Sequence, residues 1–258
     1  MADYRVQQFP KSRIATHDVF SLGLRKHHIA ALIEVDVTES REKLRQQHEK
    51  VSFTAWLIKV ISHTLKDYEQ AAAYLKGKRS LILFSDINVS IIVEKELNGY
   101  KVPMPLLIEK ANERSLASIT KQIQEARENP LDKDDIVLQR RSSRWEQLYY
   151  VLPAFVRRLF WHYLLAHPQL AYHKMGNVSI TSIGMMGKVN GWFIPTSVHP
   201  LAFGIGSIIR KPRGIKDEIV IREVLHMTVL LDHDVMDGAP MARFVSQLSA
   251  NLEAGVTL

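Results

Sequence analysis

A chain of 258 residues can bury the core of one large α/β domain or of two small ones. Its 34 basic against 27 acidic side chains, formally +7, suit an anionic ligand such as a phosphorylated cofactor, nucleic acid or an acidic surface, and equally a solvated basic exterior. The sequence has no cysteine, which excludes disulfides, zinc–thiolate centres and a cysteine nucleophile, so covalent or general-base chemistry falls to Ser, Thr, His, Lys or carboxylates.

The amino terminus, MADYRVQQFPKSR, carries charges with no apolar segment behind them, so it lacks the pattern of a secretory signal and a cytoplasmic protein is expected. HIAALIEVDV, from His28, ends in a strand-like alternation. TESREKLRQQHEK follows as a helix with Thr38 as its cap. FTAWLIKVISHTLKDY places Ala55, Ile58, Ile61 and Leu65 at spacings of three and four, which predicts a buried amphipathic helix capped by Thr54. DINVSIIVEKELNGYKVPMPLLIEK holds two apolar runs around Asn98-Gly99 and predicts a hairpin. RSLASITKQIQEARENP is a helix stopped by Asn129-Pro130.

The next stretch, rich in arginine and aromatic residues, reads as one or two helices separated at Pro153. Within it YYVLPAFVRRLFWHYLLAH is the longest apolar run, but Pro153, Arg157 and Arg158 break it short of the roughly 18 to 20 residues that cross a bilayer. NVSITSIG, PLAFGIGSII and EIVIREVLHMTVLLDH return to strands, and APMARFVSQLSANLEAG closes the chain as a helix with Gly255 just past its end. No repeat or long linker divides the sequence, so a single domain over residues 1–258 is expected.

LLDHDVMDGA puts His233 and three carboxylates into six positions after an apolar run. A metal would need three or four converging ligands. On a helix His233 and Asp237 would share a face, but Gly238 and the strand pattern before Asp232 point to a strand-to-turn transition, and no metal is expected. A polar loop whose groups satisfy one another is the other reading of the cluster alone.

The order His-x-x-x-Asp-Gly at a strand end, before APMARF, resembles the catalytic domain of the dihydrolipoyl acyltransferases, the core components of the 2-oxoacid dehydrogenase complexes. IEVDVT, VSFTAWLIKVISHTLK, DINVSIIV with VPMPLLIEKANERSL, and VSITSIGMMG match in the same order. The resemblance implies the chloramphenicol acetyltransferase-like α/β fold, a two-layer sandwich of mixed sheet and helices, as a trimer with each active centre between subunits. It implies acyl transfer between coenzyme A and a thiol such as dihydrolipoyl-lysine, with His233 as general base. Thr181, 52 positions earlier and next to Ser182, would donate its hydroxyl to the oxyanion. Asp237 would pair with an arginine near the amino terminus, Arg13 being the nearest match, and Gly238 would permit a tight turn or close backbone approach. Lys211 and Arg213 would meet coenzyme A phosphates or form a solvated basic turn. Asp232 and Asp234 would solvate the loop, bond within it or tune His233, and His27 and His28 would be loop or core histidines. GIGS is no phosphate fingerprint because it opens no helix.

Three departures leave other functions open. The sequence contains no lipoyl or subunit-binding domain, so a lipoyl group would come in trans. Its terminus, NLEAGVTL, lacks the leucine-rich segment that joins trimers into shells, and a trimer without a cage is expected. The connection from about 132 to 174 is longer than in the family. There Trp145, Tyr149, Tyr150, Phe155, Phe160, Trp161 and Tyr163 interleave with Arg140, Arg141, Arg144, Arg157 and Arg158. That insertion suits a lid, a groove for an acidic or hydrophobic partner, a membrane-surface contact over residues 140–165, or an extra helical pair, the usual fate of aromatics at helical spacing. Nucleic acid is not expected, since no binding motif accompanies the arginines. A non-catalytic scaffold with this fold, and an acyltransferase with a small-molecule acceptor, are the alternatives to the lipoyl enzyme.

Overall fold

The computed structural model describes residues 2–6, 12–47, 51–97, 100–128, 149–183 and 190–258. Its centre is a six-stranded mixed sheet. In chain order the main elements are α1 (Ser12–Gly23), β1 (His28–Asp36), α2 (Thr38–Gln46), α3 (Phe53–Thr64), the small hairpin β2 (Tyr74–Lys76) and β3 (Ser80–Ile82), β4 (Val89–Leu97), β5 (Tyr100–Ile108) and α4 (Leu116–Glu128). Then follow α5 (Ala154–Ala166), α6 (Pro168–Met175), β6 (Val178–Ser182), β7 (Leu201–Ile215), β8 (Glu218–Asp232) and α7 (Gly238–Ala254). The strand order is β1-β8-β7-β6-β4-β5, with β6 parallel to both β4 and β7 and the remaining pairs antiparallel.

Alternation decides which face is dry. Leu225, Met227, Val229 and Leu231 of β8, Leu201, Phe203 and Ile205 of β7, and Val178 and Ile180 of β6 point to one side. There they meet Trp56, Ile58 and Ile61 of α3, Ile119 and Ile123 of α4, and Phe244 and Leu248 of α7 in one core. The predicted helix face of Ala55, Ile58, Ile61 and Leu65 is fully buried in it. Trp56 finds a polar partner for its indole, whose Nε1 donates to Val256 O at 3.2 Å. The opposite sheet face is polar, with Ser179, Thr181, His226 and Thr228 on it. The expected α/β two-layer architecture is therefore the one observed.

Two predicted caps are corrected. Thr38 lies inside α2, where its hydroxyl donates to Asp36 Oδ1 at 2.6 Å and accepts from Glu223 N at 2.7 Å, so it ties the helix to β1 and β8. Ser52, not Thr54, occupies the cap position of α3, and it makes no side-chain cap bond. The hairpin strands β4 and β5 pair as expected, while the Asn98-Gly99 turn and the Asn129-Pro130 stop lie outside the described residues. Gly255 ends α7 in the left-handed region at φ +69°, as its position predicted.

Pro153 does separate helical segments, with residues 149–151 before it and α5 after it; a further break precedes Pro168, which opens α6. α5 is held on α1 by a buried ion pair, Arg157 Nε to Asp18 Oδ2 at 2.7 Å. Tyr149 OH donates to the same oxygen at 2.7 Å and accepts from Trp161 Nε1 at 2.8 Å. Burial raises the Tyr149 phenol to about 12, so it stays protonated as a donor to Asp18. Trp145 and the arginines at 140, 141 and 144 lie outside the described residues.

Candidate active site

The polar loop forms because β8 ends by burying a charge. Asp232 is its last residue and is fully buried. Lys26 Nζ donates to Asp232 Oδ2 at 2.6 Å, and the backbone N of Asp234 donates to Oδ1 at 3.1 Å. The Asp232 carbonyl accepts from Val235 N at 3.1 Å and Met236 N at 3.3 Å, so the chain turns at once and sends those two side chains into the core. This leaves His233 and Asp234 facing solvent. His233 N donates to His27 O at 3.0 Å, while its ring makes no hydrogen bond among the described residues.

Three successive residues at the start of β1 grip this loop and its neighbour. Lys26 neutralises Asp232, the His27 ring bonds Asp234 at 2.9 and 3.1 Å, and His28 Nε2 donates to His199 O at 2.9 Å. The Asp234 carboxylate raises the pKa of His27, whereas burial lowers that of His28. His27 and His28 were thus legible as loop or core histidines but not as a clamp. The signal lay in tertiary pairing, because the β1–β8 register places His28 opposite Asp232.

The buried carboxylate that anchors the loop is Asp232, held by Lys26. Asp237 is exposed at the cap position of α7 and makes no side-chain cap bond. Its carboxylate still lies at the favourable end of the helix dipole. Gly238, the first residue of α7, does not have a left-handed φ, and apart from its chain neighbours and its own helix backbone nothing lies within 4 Å of where a Cβ would stand.

Thr181 sits on the polar face of β6, half-buried, opposite Gly204 of β7. Residues 190–199 lie across this face. Thr228 Oγ1 donates to Phe193 O at 2.8 Å, and Trp192 Nε1 donates to Ile33 O at 2.8 Å. Gly204 permits the contact, since a Cβ there would stand 2.8 Å from Phe193 O. Farther along, His199 Nε2 donates to Met175 O at 3.0 Å, which leaves Nδ1 to accept from Ser197 Oγ at 3.1 Å. Ser197 Oγ in turn accepts from Ser179 Oγ at 3.1 Å. Burial lowers the His199 pKa to about 4, so the ring is neutral and serves as a hydrogen-bonded strut.

The register fixes how far Thr181 lies from His233. Thr181 pairs with Gly204, Gly204 with Thr228, and Thr228 precedes His233 by five residues. Two strand spacings of about 4.8 Å and five rises of about 3.3 Å put the two residues roughly 20 Å apart in one chain. They cannot touch the same carbonyl without a second copy.

Lys211 and Arg213 belong to neither end. Lys211 pairs with Glu34 of β1, which holds that carboxyl below its usual range, and Arg213 Nη1 is buried without a hydrogen-bond partner. His226 Nε2 also reaches Glu34, at 3.4 Å, beneath the Trp192 ring. Lys211 is thus engaged with Glu34 within the sheet. Among the described residues no group of three or more His, Asp or Glu side chains is placed to hold a metal ion.

The model of the 2-oxoacid dehydrogenases acyltransferase (catalytic domain) family matches residues 24–136 and 169–258. The chain belongs to that family. A lipoamide acyltransferase component of the branched-chain alpha-keto acid dehydrogenase complex from Bacillus subtilis is 22% identical over 240 residues, covering 88% of this chain and 47% of the relative. The chain spans about half the length of the curated relatives it matches. Among solved structures, a probable dihydrolipoamide acetyltransferase from Listeria monocytogenes has a TM-score of 0.69 at 19% identity, with 98% and 95% of the two chains covered. The dihydrolipoamide acetyltransferase of Azotobacter vinelandii has a TM-score of 0.68 at 17% identity, with 96% and 92% covered. That structure was solved to investigate the catalytic roles of a serine, a histidine and an asparagine, which follow one another by 52 and 4 positions. Chloramphenicol acetyltransferase shares the fold, with a TM-score of 0.53 at 10% identity and 95% and 96% covered.

Proposed function

We propose that this protein transfers an acyl group between coenzyme A and a thiol of the dihydrolipoyl class, at a site shared by adjacent copies in a cyclic trimer. The carrying observation is one of spacing. Thr181, His233 and Asp237 are separated by 52 and 4 positions, as are the three residues investigated in the Azotobacter enzyme.

In this reading His233 takes the thiol proton. A free thiol is mostly protonated at neutral pH, so attack needs a base at the sulfur, and an imidazole is suited to take that proton as the bond forms. The thiolate sulfur attacks the thioester carbonyl, and the hydroxyl of Thr181 from the neighbouring copy donates to the oxyanion, worth roughly 2.7 to 4 kcal/mol. Collapse expels the original thiolate, which recovers the proton from His233, so no acyl-enzyme forms. The Lys26–Asp232 pair and the His27 carbonyl hold the backbone that presents His233. The rough 20 Å gap within one chain supports a site between copies.

The test offers a panel of acyl-CoA thioesters and dihydrolipoamide to the wild type and to His233→Ala, reading thiol release. Turnover that disappears in the variant supports the reading. A folded protein that binds coenzyme A yet turns over no acyl group would redirect the search to another acceptor, and one that does not bind it would be a scaffold.

A further inference from the structure

The surface of α5 is inverted relative to a helix on a soluble exterior. Its polar contacts face inward, where Arg157 and Trp161 reach Asp18 and Tyr149. Its outward ridge carries Phe155, Leu159 and Tyr163 at successive spacings of four, 72, 68 and 56% exposed, with Phe160 and, before the helix, Val151 also exposed. A helix on a globular surface ordinarily shows the opposite arrangement. Patches of several contiguous large apolar side chains mark interaction sites. The family match leaves residues 137–168 out, so the shared fold does not account for this ridge.

The chemistry of the rim selects the occupant. Arg158 and His162, one turn apart and exposed, border the apolar ridge, and Arg25 Nη1 lies 3.4 Å from His162 Nε2. The described residues 149–176 contain Arg157, Arg158 and Lys174 and no carboxylate. A second copy docking through this same face on a two-fold axis would set Arg158 near its own counterpart. The ridge is convex and needs no complementary groove, and a fluid anionic interface accepts apolar and aromatic side chains while its phosphates receive the cations. At 13 residues α5 is about 20 Å long, and no described helix is long and apolar enough to cross a membrane, so the geometry is that of a helix lying in the interface.

We propose that α5 docks the protein on an anionic lipid surface, with Phe155, Leu159 and Tyr163 embedded at the headgroup boundary and Arg158, His162 and Arg25 turned to lipid phosphates. The ion pair to Asp18 fixes the helix on α1 so that the body of the protein rides above the interface.

The full chain is sedimented with vesicles of phosphatidylcholine alone and of phosphatidylcholine with phosphatidylserine. Binding to the anionic vesicles should exceed binding to the neutral ones by about tenfold and weaken severalfold when salt is raised from about 0.1 to 0.5 M. Phe155→Ser with Leu159→Ser should lower binding by about tenfold, and Arg158→Glu, an exposed side chain whose exchange leaves the core untouched, by severalfold. Absence of binding to anionic vesicles, or binding that neither variant weakens, overturns the proposal. So does a fall in mass by light scattering in the double variant without any vesicle binding, which would make the ridge a contact between copies.

Discussion

Two inactive variants of this protein should restore one another. His233→Ala removes the proposed base and is expected to cost about 10² to 10⁴ in kcat/KM, while Thr181→Ala removes the proposed oxyanion donor and should cost about 10² to 10³. Both groups must come within about 3 Å of the reacting atoms, yet the β6–β7–β8 register separates them by roughly 20 Å in one chain. Each working site then draws its histidine from one copy and its hydroxyl from the next. In a cyclic assembly reshuffled from equal amounts of the two variants, about one site in four receives both intact residues, whatever the ring size. Activity should rise from about one per cent of wild type or less to about a quarter. The assay is thiol release after partial dissociation in mild denaturant and reassociation, with hybrids confirmed by native mass spectrometry. Hybrids whose activity stays at the mean of the two variants would refute the shared site.

Lys26→Met should destabilise the fold by about 3 to 5 kcal/mol in urea titration, because it leaves the fully buried Asp232 carboxylate unpaired; a loss below about 1 kcal/mol would contradict the anchor role. His199 has a folded pKa of about 4 against about 6.5 unfolded, so its contribution is intact above pH 6.5 and is lost as pH falls toward 4. That loss approaches about 3 kcal/mol, and His199→Gln should flatten the urea midpoint between pH 7 and 4.5 relative to wild type. NMR titration should find His27 above the ordinary histidine value and returned toward it by Asp234→Asn; an unchanged value would remove the clamp between them. Gly204→Val should displace residues 190–199, read as a loss of Trp192 protection from fluorescence quenchers, since its Cβ would stand 2.8 Å from Phe193 O.

The strands and helices were legible because each is written in a local period. Alternation marked β1, and spacings of three and four marked α3, whose four predicted core residues are all buried. The ordered blocks around His233 carried the family and hence the mixed sheet. Local reading failed where a side chain had a choice of partners. Thr38 looked like a cap, but the neighbouring strand offered its hydroxyl the Glu223 amide. Asp232 looked like one of several solvating carboxylates, but it took the buried place once the approach to β1 brought Lys26 beside it. The apolar positions of α5 implied core by their spacing, and only docking through Asp18 turned them outward. Sequence alone thus determined most of the strands and helices and the dry face of α3, because these follow from side-chain periodicity over a few residues, while α1 and the β2–β3 hairpin were not read from it. Tertiary structure decided which carboxylate is buried, which histidines clamp the loop and how far Thr181 stands from His233, because sheet register joins residues as far apart in sequence as His28 and Asp232 and no local pattern encodes that choice.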